Sequence, residues 1–176
     1  MGLRKSLCYT TPERSYTRKS KVKSKSYIKG VPTTKISKFI MGNLKGFNDG
    51  KYECTITVSV EQPIQIRDNS IEASRMLINR ELDEELKGDY YFLVSSYPHQ
   101  ILREKKILMG AGADRMSTGM QLAFGKPCAL AIKMMPGDKL FKIACHKSAV
   151  PAVRKILDKI KAKIPGRKKI VVEEKK

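Results

Sequence analysis

The sequence predicts an α+β fold, a mainly antiparallel sheet sandwich with two helices packed on one face. Two observations carry this prediction. Residues 52–60 alternate between apolar and polar side chains, which is typical of a half-buried strand. The segments 69–86 and 148–164 instead repeat apolar residues at helical spacing. With 176 residues and 41% hydrophobic content, the chain is long enough to bury a core between these layers.

The first 47 residues are predicted to form a basic N-terminal extension. They contain twelve Lys and Arg and one acid, Glu13, with few large aliphatic residues and no sustained period, so they cannot fold alone. Tyr9, Tyr16, Tyr27, Phe39 and Phe47 are interleaved with the cations. Because cations contact phosphates and aromatic rings stack on unpaired bases, the mixture favours irregular RNA over a solvated linker. The predicted RNA-binding residues are Arg4, Lys5, Arg14, Arg18, Lys19, Lys21, Lys23, Lys25, Tyr27, Lys29 and Lys35.

The globular domain is predicted to span residues 48–176 and to begin with the strand at 52–60. Asn69 followed by Glu72 indicates a capping box that opens the first helix, and Gly88 supplies its stop. One face of this helix is apolar, at Ile71, Ile78, Leu82 and Leu86. Acids cluster near its end, at Glu81, Asp83, Glu84 and Glu85, and are expected to form a solvated face rather than a metal site.

The second half is predicted to add strands and one helix. A strand at Tyr90–Tyr97 ends at Pro98, and the runs 128–134 and 139–145 around Pro136-Gly137-Asp138 indicate a hairpin. Ser148 is expected to cap the last helix, and residues 170–172 to form a closing strand. The buried face of that helix is predicted to be Val153, Ile156, Leu157, Ile160 and Ile164.

Residues 103–127 form a long internal loop in this prediction. Unstructured connections beyond about 12–15 residues are usually functional or disordered. Its glycines permit close approach to a partner, and its cations would lie at the same place. The candidate residues of the loop are Arg103, Lys105, Lys106, Gly110, Gly112, Arg115 and Lys126.

The sequence offers no catalytic site. Gly110 and Gly112 begin a dinucleotide fingerprint, but Arg115 stands where the third glycine is required. Gly125-Lys126 resembles part of a phosphate-binding loop, yet Pro127 replaces the residue that would bind magnesium. The two histidines, His99 and His146, stand beside no plausible nucleophile. His99 is expected to be a surface or RNA-contacting residue, and His146 to be structural or to contact an anion. We therefore expect no enzyme and no cofactor.

The net charge of +19, with a pI near 9.9, requires a polyanionic partner. Nucleic acid is the first choice and an anionic membrane the second. Cys8, Cys54, Cys128 and Cys145 lie far apart, so we predict buried thiols rather than a disulfide framework or a metal site. No apolar run reaches about 18 residues and no hydrophobic signal core is present, so the chain is expected to be soluble and cytoplasmic.

One alternative places the chain at a membrane. Residues 1–6 fit the short N-myristoylation pattern with Gly2 as acceptor. An acyl chain next to a polybasic segment can hold a protein on an anionic surface, which would make this a lipid-anchored adaptor. That function would not require the glycine-rich basic loop far along the chain.

Several short motifs are spread along the chain. They are Met1-Gly2-x-Arg4, Cys8-Tyr9, Gly30-Val31-Pro32, Tyr97-Pro98-His99, Leu102-Arg103-Glu104, the run 110–120, the run 122–127, Pro136-Gly137 and Pro165-Gly166-Arg167. Together they resemble one family of large-subunit ribosomal proteins, called sixteen in bacteria and ten-e in archaea and eukaryotes. The resemblance covers nearly the whole chain, and Gly-Ala-Gly-Ala-Asp-Arg at 110–115 is closer to the archaeal wording.

The resemblance implies a structural constituent of the large subunit at the site that receives aminoacyl-tRNA. The extension would thread into ribosomal RNA, with Arg4, Lys5, Arg14, Arg18 and Lys19 against phosphates. The loop, Glu104–Ser117 by motif match, would point towards the peptidyl-transferase centre. The implied partners are large-subunit rRNA, tRNA and neighbouring ribosomal proteins, with no membrane and no second copy of the chain.

Overall fold

The computed structural model describes Val22, Ser24, Ile28 and residues 30–104 and 125–174. The strands are β1 (Ile40–Gly42), β2 (Cys54–Val60), β3 (Ile64–Arg67), β4 (Tyr91–Val94), β5 (Gln100–Glu104), β6 (Lys126–Met134), β7 (Lys139–Cys145) and β8 (Lys168–Glu174). The helices are α1 (Leu44–Asn48), α2 (Asp68–Leu86) and α3 (Val150–Lys159), and single 3₁₀ turns lie at Lys147–Ala149 and Ile160–Ala162.

The strands form two antiparallel sheets. Five strands lie in the order β1-β4-β7-β2-β8, and three lie in the order β3-β6-β5. Side chains of both sheets and of α2 and α3 share one core, to which Ile56, Ile66, Leu82, Phe141 and Leu157 contribute. Alternation in β2 and helical spacing in α2 and α3 place these apolar side chains inwards. The predicted α+β class and antiparallel pairing are confirmed.

The predicted hairpin is wrong. β6 pairs with β3 and β5, whereas β7 pairs with β2 and β4, so the tight turn at 135–138 joins two sheets. The turn is closed by the Met135 amide, which donates to the Asp138 carboxylate at 2.8 Å. It is also tied to β2, because the Gly137 amide donates to the Val60 carbonyl at 2.8 Å. Apolar runs on either side of a turn identify two strands, but they do not specify which strands pair.

Both predicted helix caps are also wrong. The first predicted helix is α2, which begins at Asp68, and the Asn69 amide donates to the Asp68 carboxylate at 2.8 Å. The Glu72 carboxylate accepts from Arg75 and Ser37 and takes no part in a capping box. The last helix follows a 3₁₀ turn that contains Ser148, and no side chain caps it. Its start is fixed instead by Pro151, whose missing N–H costs nothing in the first turn.

The remaining element predictions differ mainly at their ends. Lys87, rather than Gly88, first enters the left-handed region after α2, with φ of 48°. The strand expected at Tyr90–Tyr97 is shorter, Tyr91–Val94, and the closing strand is longer, Lys168–Glu174. The apolar faces predicted for both helices are buried except for Leu86, which is partly buried against the core.

Part of the segment predicted as extension packs on the folded domain. Ile36 and Met41 belong to the main core, and β1 pairs with β4. The Asn43 side chain accepts from the Gly46 amide and begins α1. The division of the chain at residue 47 stays a prediction, although folded structure already exists on its N-terminal side.

Candidate nucleic-acid interface

Most of the predicted contact residues lie outside the described residues. Of the predicted sites the structure places three, namely Lys35, Arg103 and Lys126. The others lie outside the described residues and are Arg4, Lys5, Arg14, Arg18, Lys19, Lys21, Lys23, Lys25, Tyr27, Lys29, Lys105, Lys106, Gly110, Gly112 and Arg115. These fifteen stay predictions.

Lys35 lies in the segment 35–37, which hydrogen bonds to α2. Its amide donates to the Asp68 carboxylate at 3.3 Å, and its side chain is exposed. Two residues on, the Ser37 hydroxyl donates to Glu72 at 3.1 Å. Backbone anchoring of this kind fixes where the exposed lysine lies while leaving its ammonium available to a partner.

Arg103 and Lys126 flank the internal loop, but both belong to strands. Arg103 lies in β5 opposite Pro127, and Lys126 begins β6 opposite Glu104. The ladder therefore continues to residues 104 and 126, further than the predicted loop bounds of 103 and 127 imply. Lys126 is exposed and Arg103 is half-buried. These positions bring two cations to the place where the chain leaves the sheet.

A run of cations from α3 to the start of β8 is not among the predicted contact residues. Residues 150–170 contain eight Lys and Arg and one acid, Asp158. Three of these cations have partners inside the domain: Lys159 binds Glu81 at 3.0 Å, Lys161 binds Asp158 at 2.6 Å, and Lys168 donates to backbone carbonyls. The other five are exposed and have no ionic partner within the described part of the chain. We call them the α3–β8 surface: Arg154, Lys155, Lys163, Arg167 and Lys169.

Lys168 connects the start of β8 to the segment that follows α3. Its ammonium donates to the carbonyls of Ile164 at 2.7 Å and Lys161 at 3.1 Å. Burial, followed by the neighbouring charge of Lys161, lowers the pKa of Lys168. The ammonium of Lys168 is therefore used within the domain, whereas the five exposed cations form the α3–β8 surface.

The acids of α2 are largely occupied within the domain. The predicted solvated acidic face is wrong for Glu81, which is 9% exposed and bound by Lys159. Asp83 accepts from the Tyr90 hydroxyl at 2.7 Å, and burial and this hydrogen bond raise the pKa of Tyr90. Glu84 and Glu85 are exposed, as predicted. The acids therefore serve the fold more than they serve a partner.

Asp89 is the centre of a small polar cluster. It accepts from Lys51 at 2.8 Å and from the Tyr52 hydroxyl at 3.2 Å, and it lies 3.3 Å from His146 Nε2. The hydrogen bond from Lys51 is the largest cause of the lowered pKa of Asp89. His146 also meets the Tyr52 ring edge-on, which agrees with a structural role, one of the two roles predicted for it. His99 is exposed, as predicted.

Two aromatic residues predicted as partners for bases are used within the domain. Phe47 stacks on Tyr91 with ring centroids 4.1 Å apart, and Lys142 lies 5.0 Å from the Phe47 centroid. Phe39 stacks on Tyr97 at 5.5 Å. Phe47 and Phe39 therefore pack against other rings. Tyr97, which was not among the predicted contacts, is 61% exposed.

Two of the three cysteines that the structure describes are buried, as predicted. Cys54 and Cys145 are buried free thiols at paired positions of β2 and β7, and burial raises the pKa of Cys145 to about 11. Cys128 is exposed, contrary to prediction, and Cys8 lies outside the described residues. Among the residues placed by the structure, no group of three His, Cys, Asp or Glu side chains could hold a metal ion. Nor is any helix there both long and apolar enough to cross a bilayer.

Comparison with known proteins identifies the family. Residues 12–171 match the family described as ribosomal protein L16p/L10e. The large ribosomal subunit protein uL16 of Nanoarchaeum equitans is 42% identical over 143 residues, covering 80% of this chain and 76% of its own. The uL16 protein of Natronomonas pharaonis is 39% identical over 142 residues, with the same two coverages. That of Methanococcus maripaludis is 37% identical over 174 residues, covering 98% of this chain and 95% of its own.

These relatives come from archaea, in agreement with the sequence of residues 110–115, which resembles the archaeal form of the motif. The family match covers well over half of the chain, and the identities extend over most of it. The chain belongs to the ribosomal protein L16p/L10e family.

Proposed function

We propose that this protein is a structural constituent of the large ribosomal subunit that binds ribosomal RNA, without catalytic activity of its own. The observation that carries the proposal is the family match over residues 12–171, together with relatives named large ribosomal subunit protein uL16. The charge of +19 agrees with it, because a ribosomal protein lies among crowded phosphates.

The proposed binding mechanism is electrostatic and geometric. The extension supplies cations that neutralise phosphates and release counterions as the complex forms. The α3–β8 surface supplies a second set of five exposed cations: Arg154 and Lys155 lie on α3, Lys169 lies on the edge strand β8, and Lys163 and Arg167 lie in the segment between them. Recognition is mainly of RNA shape, through phosphates and 2′-hydroxyls.

The finer part of the proposal concerns tRNA. The internal loop, with Arg103, Lys105, Lys106, Gly110, Gly112, Arg115 and Lys126, shapes the aminoacyl-tRNA site near the peptidyl-transferase centre. What supports this is the motif resemblance of residues 110–127 and the position of Arg103 and Lys126, in the two paired strands where the loop leaves the sheet. The loop contributes cations and takes no part in bond making.

Reconstitution of large subunits with variant protein tests both parts. Replacing Lys19, Lys21, Lys23 and Lys25 by Gln is expected to weaken binding to deproteinised large-subunit RNA. The slope of log K against log salt should fall by about 0.7–0.9 for each lost phosphate contact. Subunits that carry a deletion of 110–114 should assemble but accept aminoacyl-tRNA poorly.

The matched control replaces the same four lysines by Arg, which keeps the charge and should keep the salt slope. A Gln variant with the slope of the unaltered chain would remove the extension from the interface. Normal aminoacyl-tRNA binding by the deletion particles would refute the role of the loop. A chain that ignores large-subunit RNA at physiological salt would refute the whole proposal.

A further inference from the structure

A groove of about 420 Å³ opens on the surface between residues 31–34 and the segment 97–101. Its walls include Pro32, Tyr97 and His99, and Ile101 and Leu130 also line it. Ile101 and Leu130 are buried and pack with Ile28 as a separate cluster outside the main core. The groove therefore has an apolar base beneath a rim that includes an aromatic ring and an imidazole.

The Tyr97 ring is held in place and yet accessible. It stacks on Phe39 with an interplanar angle of 27°, and it keeps 61% of its surface exposed. Its neighbour Pro98 is buried, which fixes the backbone beside it. His99 Nδ1 lies 3.4 Å from the Tyr97 carbonyl. An aromatic ring that is both oriented and exposed loses little conformational entropy when it stacks on a flat partner.

The charge around the groove matches an anionic partner. None of the residues that line it is acidic. Lys38 directly precedes Phe39 in the chain, and Lys35 directly follows the wall residues 31–34. Both lysines are exposed, and neither has an ionic partner in the part of the chain that the structure describes. An exposed ring, with cations on residues adjacent in sequence to the wall and to its stacking partner, provides the two kinds of group that a site needs to stack on a base and contact its phosphates.

We propose that this groove receives one unstacked base of the RNA, with Tyr97 as the stacking platform and Lys35 and Lys38 against the adjoining phosphates. The inference rests on the proposed RNA-binding function and adds to it a specific nucleotide subsite. A stack is tolerant of base identity because every base has a π face, so the subsite selects an extruded base rather than a sequence. The groove thereby fixes the register of the domain on the RNA, while the basic surfaces supply most of the affinity.

The test measures the affinity of the full chain for deproteinised large-subunit RNA across a salt series. Tyr97→Leu keeps an apolar side chain against Phe39 but removes the aromatic face, and it should weaken binding about five- to 150-fold. The salt slope should stay unchanged, because no phosphate contact is lost. Tyr97→Phe keeps the ring and should bind like the unaltered chain. Met76→Ala, an equally exposed position on α2, is the matched control and should have no effect.

The outcomes separate the subsite from the proposed function. If Tyr97→Leu binds as tightly as the unaltered chain while the salt slope is steep, RNA binding stands and the subsite is refuted. If Leu and Phe weaken binding equally, the hydroxyl rather than the ring matters and the stacking platform is refuted. If the unaltered chain does not bind the RNA, both proposals fall together. Urea unfolding of each variant verifies that altered binding does not arise from lost folding.

Discussion

The two long helices of the domain, α2 and α3, each bury an apolar face in the core, but their charged residues differ in sign and in how many have partners inside the domain. α2 carries six acids and two Arg, and most of these groups are engaged inside the domain. The segment from α3 into β8 carries eight cations and one acid between residues 150 and 170, and five of the cations are exposed without an ionic partner among the described residues. One helix therefore uses its charge to hold the fold, and the other leaves its charge available to a partner.

The difference shows which charges report on function. Arg75 is 9% exposed and is held by Glu72, Ser37 and the sulfur of Met41, so its positive charge is consumed in attaching residues 37–41 to α2. Arg154 has the same side chain on an open surface. Net charge alone counts the two arginines equally. Only the contacts separate a charge that stabilises the domain from one that awaits a polyanion.

The largest expected effects come from what the helices share, their apolar faces. Leu82 on α2 is fully buried and Leu157 on α3 is 1% exposed, and both belong to the same core. Replacing either by Ala should lower the free energy of unfolding by about 2–5 kcal/mol, through lost transfer energy and the cavity left behind. Urea denaturation measures both variants. A loss at Leu82 without one at Leu157 would mean that α3 is held by its RNA partner rather than by the core.

A smaller effect should distinguish the two arginines. Arg75→Ala leaves the Glu72 carboxylate, 17% exposed, without its cationic partner and with only Ser37 as a donor among the residues that the structure describes, and it should cost about 3 kcal/mol of stability in urea denaturation. Arg154→Ala is the matched control and should change stability by no more than about 0.5 kcal/mol. Equal effects at the two positions would contradict the division of roles between the helices.

The Arg75 effect should also depend on pH. Hydrogen bonding from Arg75 is the largest cause of the lowered pKa of Glu72. A carboxylate with a lowered folded pKa stabilises the domain fully above its unfolded value, here 4.5, and this stabilisation is lost as pH falls through the folded pKa. The stability gap between Arg75→Ala and the unaltered chain should therefore narrow when denaturation is repeated below about pH 4.

The contrast between the helices also marks how far sequence reasoning reaches. Period and composition located α2, α3 and β2, because burial of Ile78, Leu157 or Ile56 leaves a direct pattern in the chain. They did not locate the pairing of β6 with β3 and β5, since strand partners lie far apart in sequence and any exposed ladder edge can accept them. The predictions of the two helix caps were wrong because the sequence offered other residues that could begin the helices. These are Asp68 for α2 and Pro151 for α3.

The candidate interface, too, could be predicted from the sequence only in part. The family motifs could be recognised because each is a local run of residues, such as 110–120. The α3–β8 surface could also have been predicted, since the face of α3 opposite the buried residues is cationic. The apolar spacing that predicted the helix does not by itself reveal these cations. The groove beside Tyr97 could not be predicted, because it joins residues 31–34 to residues 97–101 and to Leu130 on β6 through the fold. Stacking of Phe39 on Tyr97 likewise requires two segments that lie far apart in the chain.

The smallest change in stability, and the sharpest test of the comparison, comes from the exposed charges themselves. Replacing Arg154, Lys155 and Lys163 by Gln should leave unfolding within about 0.5 kcal/mol of the unaltered chain, because none of them has an ionic partner in the described segments. The slope of log K against log salt for large-subunit RNA should nevertheless fall by about 0.7–0.9 for each phosphate contact removed. Glu84→Gln with Glu85→Gln, on the exposed face of α2, is the control and should leave the slope unchanged. If the three Gln substitutions leave the slope intact as well, Arg154, Lys155 and Lys163 contact no phosphate, and exposure without a partner is not evidence of an interface.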